Sequence, residues 1–138
     1  MKKYMHAIIR HEKARQAVDS ITRDIGRAIG RCPVSVRAKD WSLTNAEKAE
    51  VRDEKSGKDK THLWQAFAHR EPSDCGHGMT IMGEDGIEDA LARGSEFECE
   101  HCYQAYQLIL QRKAARNELG RARSSIRALG RNAIKGDL

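Results

Sequence analysis

The chain has 138 residues, of which 39% are apolar, 33% are charged and only 5% are aromatic. This length suffices for one domain with one hydrophobic core, but not for two independent cores. The scarcity of aromatic side chains argues against a thick globular core, whereas helices joined along narrow seams need less apolar surface. We therefore expect a single, mainly α-helical domain over residues 1–138.

The charge is unevenly distributed along the chain. Residues 1–31 carry eight Lys/Arg against three Asp/Glu, residues 32–102 carry nine against fifteen, and residues 103–138 carry eight against two. The basic ends could contact nucleic acid, an acidic protein surface or the chain's own acidic middle. They could equally be solvated helix faces without a partner.

Membrane and export signals are absent from the sequence. No apolar run approaches the ~20 residues that cross a bilayer, and the N-terminal residues lack the apolar segment of a signal peptide. We expect a cytoplasmic protein without a membrane partner. In a reducing compartment, its four cysteines are more readily metal ligands or free thiols than disulfides.

Apolar and small residues recur along residues 1–32 in alternating steps of four and three, the spacing of a coiled-coil seam. The seam positions are Ala7, His11, Ala14, Val18, Ile21, Ile25, Ala28 and Cys32. Pro33 lacks an N–H donor and disfavours the α conformation of the residue before it. The pattern predicts a long first helix over residues 1–32, ended by Pro33.

The same spacing returns in residues 99–135 and predicts a second long helix, which is basic. Its seam positions are Ala105, Leu108, Arg112, Ala115, Leu119, Ala122, Ile126, Leu129 and Ala133, with Arg112 as the interruption. Gly120 and Gly130 lower helix propensity by roughly 1 kcal/mol each. Close approach of another helix would explain them, and a hinge role is the alternative.

Two long helices separated by a compact segment most simply pack antiparallel. This topology predicts that Cys32, at the end of the first helix, lies beside Cys99 and Cys102 at the start of the second. The acidic middle, residues 33–98, is expected to hold short helices and has room for a short β-hairpin. The predicted elements are a capped helix from Thr44 to about Glu54, a helix or strand over 62–68, a strand at 79–82, a turn at 83–86 and a helix over 87–93 ended by Gly94.

Cysteine spacing predicts a structural zinc site that would attach the middle segment to the pair of long helices. Cys99 and Cys102 form a Cys-x2-Cys knuckle, which lets two thiolates reach one ion. The candidate ligands are Cys32, Cys75, His77, Cys99 and Cys102. The helical register favours the set Cys32, Cys75, Cys99 and Cys102. Sequence proximity alone favours the rival set Cys75, His77, Cys99 and Cys102. Inert buried thiols and a redox dithiol are the alternatives, although the βαβ context of a thioredoxin-like site is missing.

No motif in the sequence specifies a reaction. Four histidines with Glu71 or Asp74 could in principle form a metal-dependent nuclease site, which would need an open coordination position. The spacing of these histidines, His62, His69, His77 and His101, specifies no such site. A nucleophile with a recognisable base and a phosphate-binding glycine loop are also missing. We expect no enzymatic activity.

Basic residues on the second helix are candidates for contacts with nucleic acid or another partner. They are Arg112, Lys113, Arg116, Arg121, Arg123, Arg127, Arg131 and Lys135. Aromatic residues on that helix are limited to Tyr103 and Tyr106, which argues against single-strand recognition by stacking. A sequence-tolerant DNA-binding regulator is therefore one functional hypothesis.

The cysteine motifs, together with the helix sequence from Arg116 to Arg123, resemble small zinc-binding accessory proteins of tailed bacteriophages and prophages. The resemblance covers the cysteine motifs and roughly the last third of the chain. It implies a stoichiometric binder in the host cytoplasm that inhibits a host machine, as anti-CRISPR and other anti-defence proteins do. It carries over no functional residue beyond the candidate zinc ligands. Inhibition of a host complex is the leading hypothesis, and small residues along the seam also predict a homodimer.

Overall fold

The computed structural model describes residues 2–72, 79–81 and 83–136. The chain there is predominantly helical, and the prediction of a mainly α fold with two long helices packed against each other is confirmed. The elements in order are α1 (Lys2–Gly30), α2 (Pro33–Ala38), α3 (Asn45–Val51), α4 (His62–Ala68), β1 (Arg70–Pro72), β2 (Met79–Ile81), α5 (Glu84–Leu91) and α6 (Glu100–Ile134). The chain forms two compact units, residues 1–24 with 108–138 and residues 25–107. The expectation of a single domain stays a prediction.

The first unit contains one part of each long helix, joined along the predicted seam. Ala7 and Ala14 of α1 are buried, as are Leu119 and Ala122 of α6. Small seam residues allow the two helix backbones to approach closely, but they bury little apolar surface per turn. The predicted seam positions of this unit are therefore buried or half-buried, with the exception of Ala133, which is exposed.

Polar contacts in the first unit show the antiparallel direction of the two helices. Arg10 of α1 donates to Glu118 of α6, with Nε 2.7 Å from Oε1. Farther along α1, Thr22 Oγ1 accepts a hydrogen bond from Arg112 Nη1 at 3.4 Å. The contact that lies farther along α1 thus involves an earlier residue of α6, so the two helices run antiparallel. The second contact also gives Arg112, which interrupts the apolar seam, a partner across it.

In the second unit, residues 25–107, the short helices pack around a separate hydrophobic core. Its buried apolar side chains include Val51, Leu63, Ala66, Ile87 and Leu91. Aromatic rings supplement this core, since Phe67 and Tyr106 meet edge to face with ring centroids 6.0 Å apart. Burial of these residues draws α4 and α5 together.

Several short helices begin or end where the sequence did not place them. Helix α1 ends at Gly30, and Pro33 begins α2, which was not predicted. Proline is favoured at a first helical position because its N–H would have no helical partner there. The capping box at Thr44 is confirmed, but α3 ends at Val51 instead of Glu54. Of the two alternatives for residues 62–68, the structure has the helix.

The predicted turn over residues 83–86 is wrong, because α5 begins at Glu84. Gly83 is its N-cap, and the acidic residues Glu84 and Asp85 occupy its first turn, where a carboxylate interacts favourably with the helix dipole. Helix α5 ends at Leu91, and Gly94 then adopts a positive φ of 81°. The prediction of a short helix here is thus right, although the predicted start at residue 87 lies three residues after the observed start at Glu84.

Two three-residue strands pair antiparallel in the second unit, with Arg70 opposite Ile81 and Pro72 opposite Met79. The predicted strand at residues 79–82 therefore corresponds to β2. Residues 73–78, which connect the strands, lie outside the described part of the chain. The hairpin itself stays a prediction.

Gly120 and Gly130 lie within the continuous helix α6 and are exposed. A methyl group placed on either glycine would meet no heavy atom within 4 Å. For the helices of the described chain, the predicted close approach at these positions is therefore wrong. Packing among the described residues does not account for the two glycines.

Candidate metal centre

Four potential metal ligands converge in the second unit. The donor atoms of Cys32, His62, Cys99 and Cys102 all lie within 4.8 Å of one another. Cys32 Sγ lies 3.2 Å from Nδ1 of His62. In tetrahedral coordination with Zn–S bonds of about 2.3 Å, sulfur atoms lie about 3.8 Å apart. The cluster has the size and the donor types of a tetrahedral site.

Cys32 is held at the junction of two helices. Its N–H donates to the carbonyl of Ile29 at 3.0 Å, which continues the last turn of α1. Its own carbonyl accepts from the N–H of Val36 at 3.0 Å, which begins α2. With φ −56° and ψ 133°, Cys32 is the N-cap of α2, and its side chain is fully buried. Both flanking helices therefore fix its thiol.

His62 is the first residue of α4, and its position depends on the residue before it. Thr61 is buried and caps the helix, with its hydroxyl accepting a hydrogen bond from the N–H of Trp64 at 3.1 Å. The Thr61 carbonyl accepts from the N–H of Gln65 at 2.9 Å. Gln65 also donates through Nε2 to the carbonyl of Lys60 at 2.9 Å. These bonds fix the backbone that carries the imidazole.

The start of α6 carries the other two cysteines. The N–H of Cys99 donates to the carbonyl of Leu91 at 3.2 Å, and its carbonyl accepts from the N–H of Tyr103 at 2.8 Å. The N–H of Cys102 donates to Cys99 Sγ at 3.5 Å. Such amide–sulfur bonds stabilise a thiolate, as does the positive end of a long helix. The knuckle predicted from the Cys-x2-Cys spacing is thus formed by the first turn of α6.

The cysteine side chains also influence one another's protonation. The proximity of the Cys102 thiol to the Cys32 sulfur lowers the pKa of Cys32 and raises that of Cys102. Burial opposes ionisation of both groups, and the neighbouring His62 further favours the Cys32 thiolate. The thiolate is the form of cysteine that binds metal ions. The cluster thus already favours ionisation of one sulfur.

The sulfur atoms are withdrawn from solvent. Cys32 and Cys102 are 0% exposed and Cys99 is 7% exposed, while His62 is half-buried. All three are free thiols, although they lie within reach of one another. A buried set of four protein donors is the arrangement of closed structural sites, whereas catalytic sites keep one coordination position open. The residues present therefore fit a structural metal ion.

The structure brings together three of the five predicted ligands. Cys32 lies beside Cys99 and Cys102, as the antiparallel register predicted. Cys75 and His77 lie outside the described residues. Sequence reasoning missed His62, which it considered only for a nuclease site. No spacing rule would have found it, since it stands 30 residues from Cys32 and is brought there by the chain between them.

Two of the other described histidines, His69 and His101, make separate contacts. The His69 ring meets that of Phe97 edge to face at 5.8 Å, and Nε2 of His101 lies 3.6 Å from a carboxylate oxygen of Glu100. Over residues 2–72, 79–81 and 83–136, the only convergence of potential metal ligands is the cluster around Cys32. Neither His69 nor His101 is part of that cluster.

The predicted contact residues on α6 differ in exposure. Arg112 is partly buried and donates to Thr22, whereas the other seven are exposed: Lys113, Arg116, Arg121, Arg123, Arg127, Arg131 and Lys135. Nη1 of Arg121 lies 3.9 Å from Glu118, which already pairs with Arg10. Arg112 is thus part of the helix seam, while the others are placed where a partner could reach them.

No helix in the described part of the chain is both long and apolar enough to cross a membrane. Comparison with known proteins gives no match to any family model, to any curated protein or to any solved structure.

Proposed function

We propose that this chain is a non-catalytic binding protein whose fold is held by a structural zinc ion, bound by Cys32, His62, Cys99 and Cys102. The observation that carries the proposal is the convergence of these four donor atoms within 4.8 Å. Thiolates and imidazole are the donors that zinc prefers, whereas calcium and magnesium require oxygen ligands. Four protein donors also leave no coordination position for a reacting water molecule.

The ion would add stability to the second unit. Structural zinc contributes an apparent free energy of about 10–16 kcal/mol in small zinc domains, as much as the whole free energy of unfolding of a typical domain. The four ligands belong to the junction of α1 and α2, the start of α4 and the start of α6. Zinc would therefore join segments that are far apart in sequence, and its removal would release all of them.

Metal analysis of the purified full chain tests the site. We expect one zinc ion per chain, and a replacing cobalt ion should give the intense visible bands of tetrahedral cobalt with thiolate ligands. Chelation should abolish cooperative thermal unfolding, and added zinc should restore it. A weak cobalt spectrum typical of five or six ligands would contradict the proposal, because it would indicate an open site suited to catalysis.

We further propose that the partner is a host macromolecular machine, such as a defence complex, which the chain inhibits stoichiometrically in the host cytoplasm. The support is the resemblance to phage accessory proteins and the separation of charge between a basic and an acidic part of the chain. Affinity capture from bacterial lysate with the zinc-loaded chain should recover a defined complex whose activity falls at a one-to-one ratio. Recovery of no host protein would contradict this proposal.

A further inference from the structure

The first unit is strongly basic. Residues 1–24 and 108–138 hold fourteen Lys/Arg against five Asp/Glu, a net charge of +9. Residues 25–107 hold eleven against fifteen, a net charge of −4. The positive charge is therefore concentrated in the unit that lacks the metal cluster. Such a concentration attracts polyanions and accelerates their association.

Four arginines of this unit line one side of α6. Arg116, Arg123, Arg127 and Arg131, which we call the basic stripe, are exposed and separated by seven, four and four residues. At 3.6 residues per turn these positions fall within an arc of about 80° and extend along about 22 Å of helix. The stripe is therefore a narrow, straight row of positive charge.

The guanidinium groups of the basic stripe have no counter-ions within the described residues. None of its four side chains forms an ion pair or a hydrogen bond there, in contrast to Arg10 and Arg15 of α1. The acidic group nearest in sequence, Glu118, is taken by Arg10 at 2.7 Å and by Arg121 at 3.9 Å. The charge of the stripe is thus available to a ligand.

The chemistry of this arc favours nucleic acid over a protein partner. Between residues 113 and 131 the same side of α6 carries only basic residues and the exposed glycines Gly120 and Gly130. Protein interfaces have an apolar centre, whereas the exposed apolar side chain on this side, Ile134, lies at the very end of α6. Aromatic rings are also missing from it, so single-stranded bases would find no stacking platform. The glycines leave gaps in which a rigid phosphate backbone could approach the helix.

We propose that the basic stripe of α6 binds the phosphate backbone of double-stranded nucleic acid, with Arg116, Arg123, Arg127 and Arg131 as the contacting residues and no reading of base sequence. This inference rests on the proposed binding role and adds nucleic acid as a partner. Backbone contacts of arginine release condensed counterions and depend steeply on salt. Four such contacts predict a slope of about −3.6 in a plot of log K against log salt concentration.

The test uses the zinc-loaded full chain and a fluorescent DNA duplex of random sequence, followed by anisotropy. The triple variant Arg116→Gln, Arg123→Gln, Arg127→Gln should lower the magnitude of the salt slope by about 2.7 and weaken binding at 50 mM salt by at least tenfold. The matched control is Lys55→Gln, Lys58→Gln, Arg93→Gln, which removes the same charge from exposed side chains of the second unit. The control should bind as the unsubstituted chain does.

Three results would overturn the inference: no duplex binding at 50 mM salt, equal losses in both triple variants, or tighter binding of a single strand than of a duplex. Comparison of DNA and RNA duplexes shows which of them the stripe prefers, and binding of either supports it. Zinc content and helical circular dichroism are measured on the same samples. If the chain contains one zinc ion but binds no duplex, the proposed role of the basic stripe is rejected and the zinc site is not. If the chain contains no zinc, the proposed structural zinc site is rejected.

Discussion

The Sγ atom of Cys32 lies 3.2 Å from Nδ1 of His62, across 30 residues of chain. The contact joins the end of α1 to the start of α4, and the knuckle of Cys99 and Cys102 adds the start of α6. Each of these residues is placed by backbone hydrogen bonds of its own helix end. The four donor atoms can therefore converge only if the end of α1 and the starts of α4 and α6 are all correctly placed.

The first prediction concerns which residues hold zinc. Cys32→Ser and His62→Ala should each lose most of the bound zinc, because three remaining donors bind it far less tightly than four. His62→Cys should retain it, since cysteine supplies an equivalent donor. Metal content after exhaustive dialysis, measured by mass spectrometry, checks each variant.

Matched controls for the ligand assignment are Cys75→Ser and His77→Ala. Both should keep one zinc ion per chain, because the four converging donors already complete a tetrahedral site. If His77→Ala lost zinc while Cys32→Ser kept it, the antiparallel register would not be the reason for the site. Loss in both Cys75→Ser and Cys32→Ser would instead favour the four-cysteine set.

The sequence predicted those parts of the fold that follow from regular spacing. A heptad seam determines which side of a helix faces its partner, so the places of Ala14, Leu119 and Cys32 followed from counting. The antiparallel direction then brought Cys32 to Cys99 and Cys102. Here a local pattern sufficed to predict contacts between distant residues.

The rest of the site depends on the path of the middle segment, which has no repeat. His62 reaches the cluster because Thr61 caps α4 and the helix packs through Leu63 and Ala66. Capping by threonine is visible in the sequence, but the direction of a short helix is set by the residues on which it packs. Pro33 was ambiguous for a similar reason, since proline both ends one helix and begins the next.

The second prediction concerns the buried cap Thr61. Thr61→Ala should lower the free energy of unfolding by about 1 kcal/mol and also weaken zinc binding, because the cap fixes the backbone of His62. Thr61→Ser should retain both properties. Chemical denaturation and competition with a zinc chelator measure the two effects.

Thr44→Ala is the matched control for Thr61, because Thr44 caps α3, which carries no ligand of the cluster. It should lower stability by a similar amount without changing zinc affinity. Equal zinc affinities for Thr44→Ala and Thr61→Ala would count against a positioning role of Thr61.

The third prediction concerns the pH dependence of the ion pair between Arg10 and Glu118. Hydrogen bonding to Arg10 lowers the pKa of Glu118 below its unfolded value. The pair therefore contributes stability above the unfolded pKa, and this contribution is lost as the pH falls through the folded pKa. Glu118→Gln should be less stable than the unsubstituted chain at pH 7, and the difference should vanish at acidic pH.

Thermal unfolding of both proteins at each pH measures this difference, and effects common to the two, such as acid release of a metal ion, cancel. The contribution should be small and should decrease with salt, because both side chains are more than two-fifths exposed. A difference that persisted unchanged at acidic pH would show that Glu118 acts through packing and not through its charge.

The fourth prediction concerns self-association. Met5, Ile8 and Ile9 lie on one side of α1 and are 57%, 56% and 44% exposed. A homodimer would cover this surface, so light scattering should give twice the mass of the chain. Ile8→Glu should shift the protein to monomer, whereas Ser20→Glu, also exposed on α1, should not. A monomer for the unsubstituted chain at high protein concentration would refute the dimer.

The fifth prediction concerns the glycines beside the basic stripe. Gly120→Ala and Gly130→Ala should each raise the free energy of unfolding by about 1 kcal/mol, because alanine favours the helix and its methyl group meets no atom within 4 Å. Gly94→Ala is the contrasting control and should destabilise the protein, because Gly94 has a φ of 81° that alanine adopts only with strain. Destabilisation by Gly120→Ala would mean that this glycine serves an internal contact. A gain in stability would mean that folding does not require Gly120. This result is expected if the glycine shapes the surface for an external ligand.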